Sequence, residues 1–245
     1  MLKRALIAFA AAVGIAATIA LGFWQWGRGA QKTALHEAMA RQELLVAVGA
    51  GELVRSAAAH PAGDDRELLH RPIVLRGTWL ADRTVWLDNR QMNAVPGFYV
   101  VTPLHIEGSS AVVLVQRGWA PRNFTRREAL PPLATPAGPV EVRGRLAPPP
   151  AKLYAFDTDE AGPIRQNLDL GRFRAETGLP LLPLSVQQTG AASEGLLRQW
   201  PPAGSGAEKN YGYAFQWWAI AGLIAILYVW FQFILPRRRR RARGL

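Results

Sequence analysis

The chain has 245 residues, 49% of them hydrophobic, and a formal net charge of +11 with a sequence pI near 10.9. It contains no cysteine, which excludes disulfides, thiolate zinc sites, iron–sulfur clusters, covalent c-type haem attachment and cysteine-based copper delivery in this chain. Its three methionines (Met1, Met39 and Met92) are too scattered for a thioether copper site. This length predicts one domain or two small ones.

The excess positive charge lies at the two ends of the chain. A high pI is typical of nucleic-acid-binding proteins, so the position of the charge decides its meaning. Lys3, Arg4, the arginines at 237–241 and Arg243 supply eight of the 29 cations. The other 21 Lys and Arg face 18 Asp and Glu, so the rest of the chain carries +3. No nucleic-acid partner is therefore predicted.

Two uncharged runs, residues 5–26 and 213–235, predict transmembrane helices. A helix over the first run is about 33 Å long, against a hydrocarbon core of about 30 Å. Cations precede the first run and follow the second, so the positive-inside rule predicts that both termini are cytoplasmic. Residues 1–4 and 236–245 are then cytoplasmic segments, and residues 27–212 form a domain on the opposite side.

A cleaved signal peptide is the alternative for the first run, because Lys3 and Arg4 resemble a basic n-region. The apolar stretch, however, exceeds the usual h-region of about 7–15 residues and continues into aromatic residues. A retained anchor is the favoured interpretation. The C-terminal arginines are interpreted chiefly as a topology anchor, with contact to anionic lipid headgroups as an additional role.

Aromatic and amide side chains gather near the non-cytoplasmic ends of the two predicted spans. Five of the nine tryptophans lie near span ends, as expected for an aromatic belt at the membrane interface. Gln25 and Gln216 each lie about one turn inside the span. We hypothesise that they hydrogen-bond across the helix pair or to a bound group. Contact with interfacial water is the alternative, and both interpretations stay open.

The region between the spans is predicted to continue the first helix and then to form short strands and turns. Helical spacing over residues 31–48 predicts an extension of the first span. A short helix is predicted at 169–177, ended by Gly178 and Pro180. Alternating and β-branched segments predict strands at 73–80, 84–87, 97–102, 111–115 and 140–146, and weaker ones at 164–168 and 182–188. The predicted fold class is two transmembrane α-helices flanking a mainly antiparallel β domain, a small barrel or sandwich, outside the cytoplasm.

No catalytic or metal-binding motif is found in the sequence. Phosphate-loop, dinucleotide-binding, nucleophile-elbow and zinc-peptidase patterns are all missing from it. The acidic group Asp157, Asp159 and Glu160 lacks the spacing of a calcium loop and is interpreted as a solvated turn. None of the four histidines forms a pair with metal-ligand spacing, and they are interpreted as surface or structural residues: His36, His60, His70 and His105. An enzyme is not predicted, and a membrane-anchored periplasmic enzyme is the weakest alternative.

An ordered series of motifs resembles the Surfeit locus protein 1 (Shy) family of cytochrome c oxidase assembly factors. No single motif is specific enough to carry the resemblance. It rests on the whole set, which occurs in the expected order and covers nearly the whole chain. The most distinctive is Val-Gln-Arg-Gly-Trp-Ala-Pro at 115–121. The others are Leu-Gly-Phe-Trp-Gln-Trp-Gly-Arg at 21–28 with Lys32 and Leu35, Arg-Pro-Ile-Val-Leu-Arg-Gly-Thr-Trp at 71–79, Asn89-Arg90, Pro-Gly-Phe-Tyr-Val-Val-Thr-Pro-Leu at 96–104, Gly-Arg-Leu at 144–146, Gln-Asn-Leu-Asp at 166–169 and Tyr-Ala-Phe-Gln-Trp-Trp at 213–218.

The resemblance implies a chaperone in respiratory chain biogenesis that assists the insertion of haem a into the catalytic subunit of haem–copper cytochrome c oxidase. The implied partners are that subunit, the haem a synthesis enzyme and membrane lipids, and the implied cofactor is transiently bound haem a. The short N-terminus favours a bacterial inner membrane, with the large loop periplasmic, over a mitochondrial one.

The resemblance also directs attention to a set of candidate contact residues for haem a or the partner. For Arg117 and Trp119 an ordinary strand-to-turn role is the alternative, and it is the favoured one. The full candidate set is Trp24, Gln25, Arg28, Arg117, Trp119, Tyr213, Gln216 and Trp217.

One departure from the family pattern concerns the residue just before the second span. The family often carries a histidine there, a candidate iron ligand, where this chain has Asn210. Asparagine is a poor substitute for imidazole on iron, although it is a favourable helix N-cap. Haem binding would then rest on Trp and Tyr packing with propionates near Arg28, or on another histidine. A cofactor-free scaffold that stabilises an oxidase subunit is the alternative function.

Overall fold

A computed structural model describes residues 2–63, 65, 67–123, 125–126, 129–153, 162–200 and 206–242. The chain divides into two compact units. One comprises Met1–Ala38 with Pro202–Leu245, and the other comprises Met39–Pro201. The acidic turn predicted at Asp157, Asp159 and Glu160 lies outside the described residues.

The first unit consists of long apolar helices from the two ends of the chain. Helix α1 spans Leu2–Glu43, about 63 Å at 1.5 Å per residue. Two helical stretches, Leu2–Glu43 and Ala207–Arg239, are long and apolar enough to cross a membrane. Only 11% and 6% of their most apolar windows are buried, whereas the core helix of a soluble protein is mostly buried. These helices are consistent with a membrane protein.

Helix α1 runs without a break past residue 26, where the predicted span ends. The predicted helical extension is therefore confirmed, although α1 ends at Glu43 rather than at residue 48. The predicted boundaries between membrane and extramembrane segments stay predictions, because the helix itself marks no boundary there.

The second unit is a β domain with two short helices. Each predicted strand is present, and most extend a few residues beyond the predicted limits. The elements are α2 (Ala50–Ala59), β1 (Pro72–Trp79), β2 (Val85–Met92), β3 (Val95–Ile106), β4 (Val112–Pro121), β5 (Pro139–Ala147), β6 (Ile164–Arg165), α3 (Leu170–Thr177) and β7 (Leu181–Gln188). The chain then returns to the first unit as α4 (Ala207–Val229), a π-helical turn (Trp230–Ile234) and α5 (Leu235–Ala242).

Five strands close into a mixed barrel in the order β1-β5-β7-β4-β3, and β3 pairs again with β1 through Gly77 and Ile106. Strands β2 and β6 extend the sheet beyond β3. Neighbouring strands cannot alternate in direction around a ring of five, so at least one pair must be parallel. That pair is β4 with β7. The prediction of a mainly antiparallel β domain, a small barrel or sandwich, is confirmed, and the structure is the barrel, with this parallel pair and β2–β6 as the exceptions to antiparallel pairing.

The barrel core follows from the alternation of side chains along the strands. In β1 the inward residues Ile73, Leu75 and Trp79 are buried and join a cluster with side chains of the other barrel strands. β4 is buried over nine consecutive residues because a second cluster, which includes Phe173 of α3, covers its other face. The continuous run of apolar residues in β4 therefore reflects burial on both faces.

Helix α2 was not predicted, whereas α3 was. α2 packs Leu53 and Ala57, one turn apart, on the barrel core, but its ten residues are shorter than the window of about 11–18 residues over which a helical period is recognised. α3 has clear end signals: the Asp169 carboxylate accepts a hydrogen bond from the Arg172 amide at 3.0 Å, and Gly178 adopts a left-handed conformation after the last turn.

Candidate functional site

The eight predicted contact residues fall into two groups. Six lie on α1 and α4 in the helical unit, and Arg117 and Trp119 lie on β4 in the β domain.

Helices α1 and α4 pack closely because glycines on α1 face large rings on α4. A Cβ atom placed on Gly22 would lie 2.2 Å from the Trp218 indole, and one on Gly29 would lie 2.7 Å from the Tyr211 ring. The two glycines are seven residues apart, and so are the buried alanines of α4: Ala207, Ala214 and Ala221. Small residues at this spacing let helices approach in a membrane, where van der Waals packing drives association.

A polar network crosses this helix pair, with Asn210 at its centre. Lys32 Nζ donates to Asn210 Oδ1 at 2.8 Å, and Asn210 Nδ2 donates to Gln25 Oε1 at 2.7 Å. Lysine can only donate, which fixes the asparagine oxygen on the Lys32 side and leaves its NH₂ group for Gln25. At the next residue of each helix, the Tyr211 hydroxyl lies 3.2 Å from Thr33 Oγ1. Asn210 thus acts as a bridge between two turns of α1.

Aromatic rings cover the side of this network. The Trp26 ring centroid lies 4.8 Å from that of Tyr211 and 5.9 Å from that of Trp218, and Phe23 meets Trp218 edge-on at 5.4 Å. Offset and edge-to-face contacts of this kind add to the energy of area burial. We call the set Gln25, Trp26, Lys32, Asn210, Tyr211 and Trp218 the helix-pair cluster.

Of the six predicted helix residues, Gln25 alone belongs to this cluster. Trp24, Arg28, Tyr213 and Gln216 are exposed, and Trp217 is half-buried. The hypothesis that Gln25 hydrogen-bonds across the helix pair is confirmed with Asn210 as partner, whereas Gln216 makes no side-chain hydrogen bond to the described residues. Sequence reasoning missed Lys32, Asn210 and Tyr211 as contacts. The seven-residue spacing of the glycines and alanines was the signal that could have found them.

The helix-pair cluster does not fit an iron ligand at Asn210. Its amide oxygen and nitrogen are both engaged within the protein, and an amide is a poor replacement for imidazole. Of the four histidines, His36 is on α1, one turn beyond Lys32, and the other three belong to the β domain. Among the described residues no group of three or more His, Asp or Glu side chains could hold a metal ion.

In the β domain, Arg117 sits at a bulge of β4 and points inward. Gln116 pairs with Val101 and Gly118 with Val100, so Arg117 is the extra residue between them. Its side chain is 0% exposed and donates to Thr135 Oγ1 and to the Ala134 carbonyl, both at 2.8 Å. The guanidinium also lies 4.6 Å from the centre of the Trp79 ring.

The charge of Arg117 is compensated by Glu194, whose Oε2 lies 3.1 Å away and is shared with Arg198. Burial lowers the pKa of the Arg117 guanidinium from its ordinary value, and the Glu194 carboxylate opposes that shift. Arg198 also donates to the Arg117 carbonyl at 2.9 Å. These bonds hold the segment after β7 against the bulge.

Gly118 and Trp119 complete this packing. A Cβ on Gly118 would lie 2.7 Å from the Leu197 carbonyl oxygen, so only glycine permits the close approach of the two segments. Trp119 is 4% exposed and its Nε1 donates to the Arg90 carbonyl at 2.9 Å. Both predicted contact residues in this domain lie beneath the surface, which favours the structural alternative over direct contact with a ligand.

Comparison with known proteins finds one family. A model described as the SURF1 family matches residues 12–222, which include most of α1, the whole β domain and the first two-thirds of α4. No individual curated protein matches the chain.

The bridge through Asn210 makes Gln25 more important for the helix pair than Gln216. We expect Gln25→Leu to destabilise the association of α1 with α4 by about 1 kcal/mol, the range measured for polar contacts between membrane helices. Gln216→Leu is the matched control and should change stability little, because that side chain is exposed. Unfolding of the full chain in mixed micelles, followed by tryptophan fluorescence, measures both. Equal losses for the two variants would contradict the bridge.

The buried position of Arg117 predicts that its removal costs stability. We expect Arg117→Ala to lower the free energy of unfolding by about 3 kcal/mol, the lower end for a broken buried ion pair because Glu194 retains Arg198. Arg76→Ala is the control: its side chain is 73% exposed beside Glu141 and should contribute about 0–1 kcal/mol. Denaturant melts of the full chain in detergent compare the two. An Arg117→Ala protein of normal stability that failed in function would instead support direct binding.

Proposed function

The chain belongs to the SURF1 family, and on that premise we propose that it is an assembly factor for haem–copper cytochrome c oxidase that assists haem a insertion into the catalytic subunit. The observation that carries the proposal is the family match over residues 12–222. It spans both the helical unit and the barrel, so the resemblance concerns the whole architecture.

The architecture supports a role in holding and positioning a partner. Along the chain, two helices able to cross a membrane flank a closed barrel, a combination suited to binding a membrane-embedded subunit. The sequence carries none of the catalytic motifs sought in it, so the role we propose is binding rather than catalysis. The partners in this proposal are the oxidase catalytic subunit and the enzyme that makes haem a.

The location that goes with this role is a bacterial inner membrane, with both termini in the cytoplasm and the barrel in the periplasm. The support is the distribution of cations: Lys3 and Arg4 precede the first apolar stretch, and six arginines follow the second. This orientation puts the helix-pair cluster, which lies at the opposite end of the spans from those cations, near the periplasmic surface.

A second candidate function is a scaffold that stabilises the oxidase subunit without binding haem. One observation favours it: Asn210 stands where the family often has a histidine, and its amide is fully engaged with Lys32 and Gln25. The cluster has aromatic faces against which a porphyrin could pack, with Arg28 exposed on the same helix for its propionates. The cluster itself contains no histidine, and His36 lies one turn beyond Lys32 on α1.

Loss of the gene tests the assembly role as a whole. We expect a deletion strain to contain oxidase with less haem a per catalytic subunit, because insertion then proceeds unassisted. Reduced-minus-oxidised spectra of the isolated oxidase measure this content, and expression of the wild-type chain should restore it. An unchanged haem a content in the deletion strain would overturn both candidate functions.

Spectra of the purified full chain, co-expressed with haem a synthesis enzymes, distinguish an assembly factor that binds haem from a scaffold that does not. If the protein carries haem, we expect co-purified haem without strong bis-imidazole character, because Asn210 is not an imidazole. If it is a scaffold, no haem co-purifies. A low-spin bis-histidine spectrum from the wild-type chain would contradict this expectation, because both iron ligands would then be histidines at other positions.

A histidine substitution tests where on the chain haem binds. Asn210→His introduces an imidazole at the cluster, and Lys209→His introduces the same group at an exposed neighbouring position as the control. For a haem resting against the helix-pair cluster, Asn210→His should shift the Soret band and Lys209→His should not. Identical spectra from the two variants would place the haem elsewhere on the chain.

A further inference from the structure

At the end of the helix pair away from the helix-pair cluster, α1 and α4 leave a cavity of about 370 Å³ between them. Its lining is apolar and comes from both helices: Ile7, Ala10 and Ala11 on α1, and Ile224, Leu227 and Phe231 on α4 and the π-helical turn. Alanines on α1 create this space, because their side chains are too short to fill it against α4. The volume is within the usual range for a small-molecule site.

The helix changes geometry beside this cavity. Residues Trp230–Ile234 form a π-helical turn between α4 and α5, and such turns are rare and often occur at functional sites. Gln232 of this turn lines the cavity together with Tyr228. Within the described part of the chain the Gln232 amide has no hydrogen-bond partner. A polar group in hydrocarbon is costly without a partner, so a ligand that hydrogen-bonds Gln232 would be stabilising.

The chain becomes strongly cationic beyond the end of the cavity that the π-helical turn lines, and we call this cationic end the rim. Arg237, Arg238 and Arg239 lie on α5 and begin three residues after the π-helical turn, and Arg238 lies 5.1 Å from the Trp230 ring centre. Gly14 faces Ile224 and Gly22 faces Trp218, so the two helices run antiparallel. Continuing that register brings Lys3 and Arg4 level with the start of α5. Residues 1–36 and 209–245 contain no Asp or Glu to neutralise these cations.

We propose that this cavity binds an anionic phospholipid, with one acyl chain between α1 and α4 and the phosphate at the cationic rim. The apolar lining matches an acyl chain, and the unneutralised arginines match a headgroup of net negative charge. This site is independent of the oxidase role.

Native mass spectrometry of the full chain in detergent, with added phosphatidylglycerol or phosphatidylcholine, tests the proposal. We expect retention of phosphatidylglycerol in preference to phosphatidylcholine, and loss of that preference in high salt, since salt screens the headgroup contact. Equal retention of the two lipids, or retention of neither, would overturn the proposal.

Two variants address the two parts of the site, one the apolar cavity and the other the cationic rim. Ala11→Leu fills the cavity and should reduce retention of phosphatidylglycerol, whereas Ala12→Leu, one position away and exposed, should not.

The double variant Arg237→Gln with Arg239→Gln should weaken the preference for phosphatidylglycerol over phosphatidylcholine. The expected loss is about fivefold for each arginine, because a cation near an anionic surface contributes about 1 kcal/mol. Arg76→Gln with Arg143→Gln removes the same charge from exposed positions of the barrel and is the control. Equal effects of target and control pairs would contradict the site.

Photolabelling of the unaltered protein gives a test that no folding defect can affect. Phosphatidylglycerol with a diazirine on one acyl chain should label peptides containing Ala11 and Ile224 more than other lipid-exposed segments of the same helices. Uniform labelling along α1 and α4 would show annular lipid only and overturn the assignment.

Discussion

The approach of α1 to α4 at Gly22 and Gly29 is the constraint on which the helical unit depends. Any larger residue at either position would collide with the Trp218 or Tyr211 ring, so the helices would have to separate. Their separation would break the Lys32–Asn210–Gln25 bridge, since hydrogen bonds of 2.7–2.8 Å tolerate little displacement. The aromatic contacts of Trp26 depend on the same approach. The opposite end of the pair, where Ala10 and Ala11 leave a cavity, lacks this close fit.

The position of Asn210 connects this geometry to function. A histidine there could serve as an iron ligand, but an asparagine satisfies both of its polar groups within the helix pair and so stabilises the association of the spans. The distinctive Arg-Gly-Trp motif of β4 has a comparable explanation. Arg117 occupies a bulge inside the domain, and Gly118 and Trp119 fit the segment after β7 against it. In both places residues that resemble a binding motif make contacts that maintain the fold.

Much of the fold could be predicted because its signals are local. The spans followed from uncharged runs of bilayer length, the strands from alternation and β-branched residues, and α3 from Asp169 and Gly178 at its ends. Helix α2 was missed because it is too short for its helical period to stand out, and its place depends on Leu53 and Ala57 meeting the barrel core. The candidate site was harder to predict than the fold, since Gln25 and Gln216 occupy equivalent positions in the sequence of the two spans. Their difference depends on which face of each helix meets the other.

The sequence by itself determined that this chain has two long apolar segments with cationic ends, a β domain between them and the motifs of the SURF1 family. These properties depend on composition, order and local periodicity. Only the tertiary structure decided that five strands close into a ring, which requires a parallel pair, and that this pair is β4 with β7. It also decided that Asn210 bridges Lys32 and Gln25 and that Arg117 is buried beside Glu194. These contacts join residues from 77 to 185 positions apart, and no local pattern of the sequence encodes which of its distant polar groups will meet.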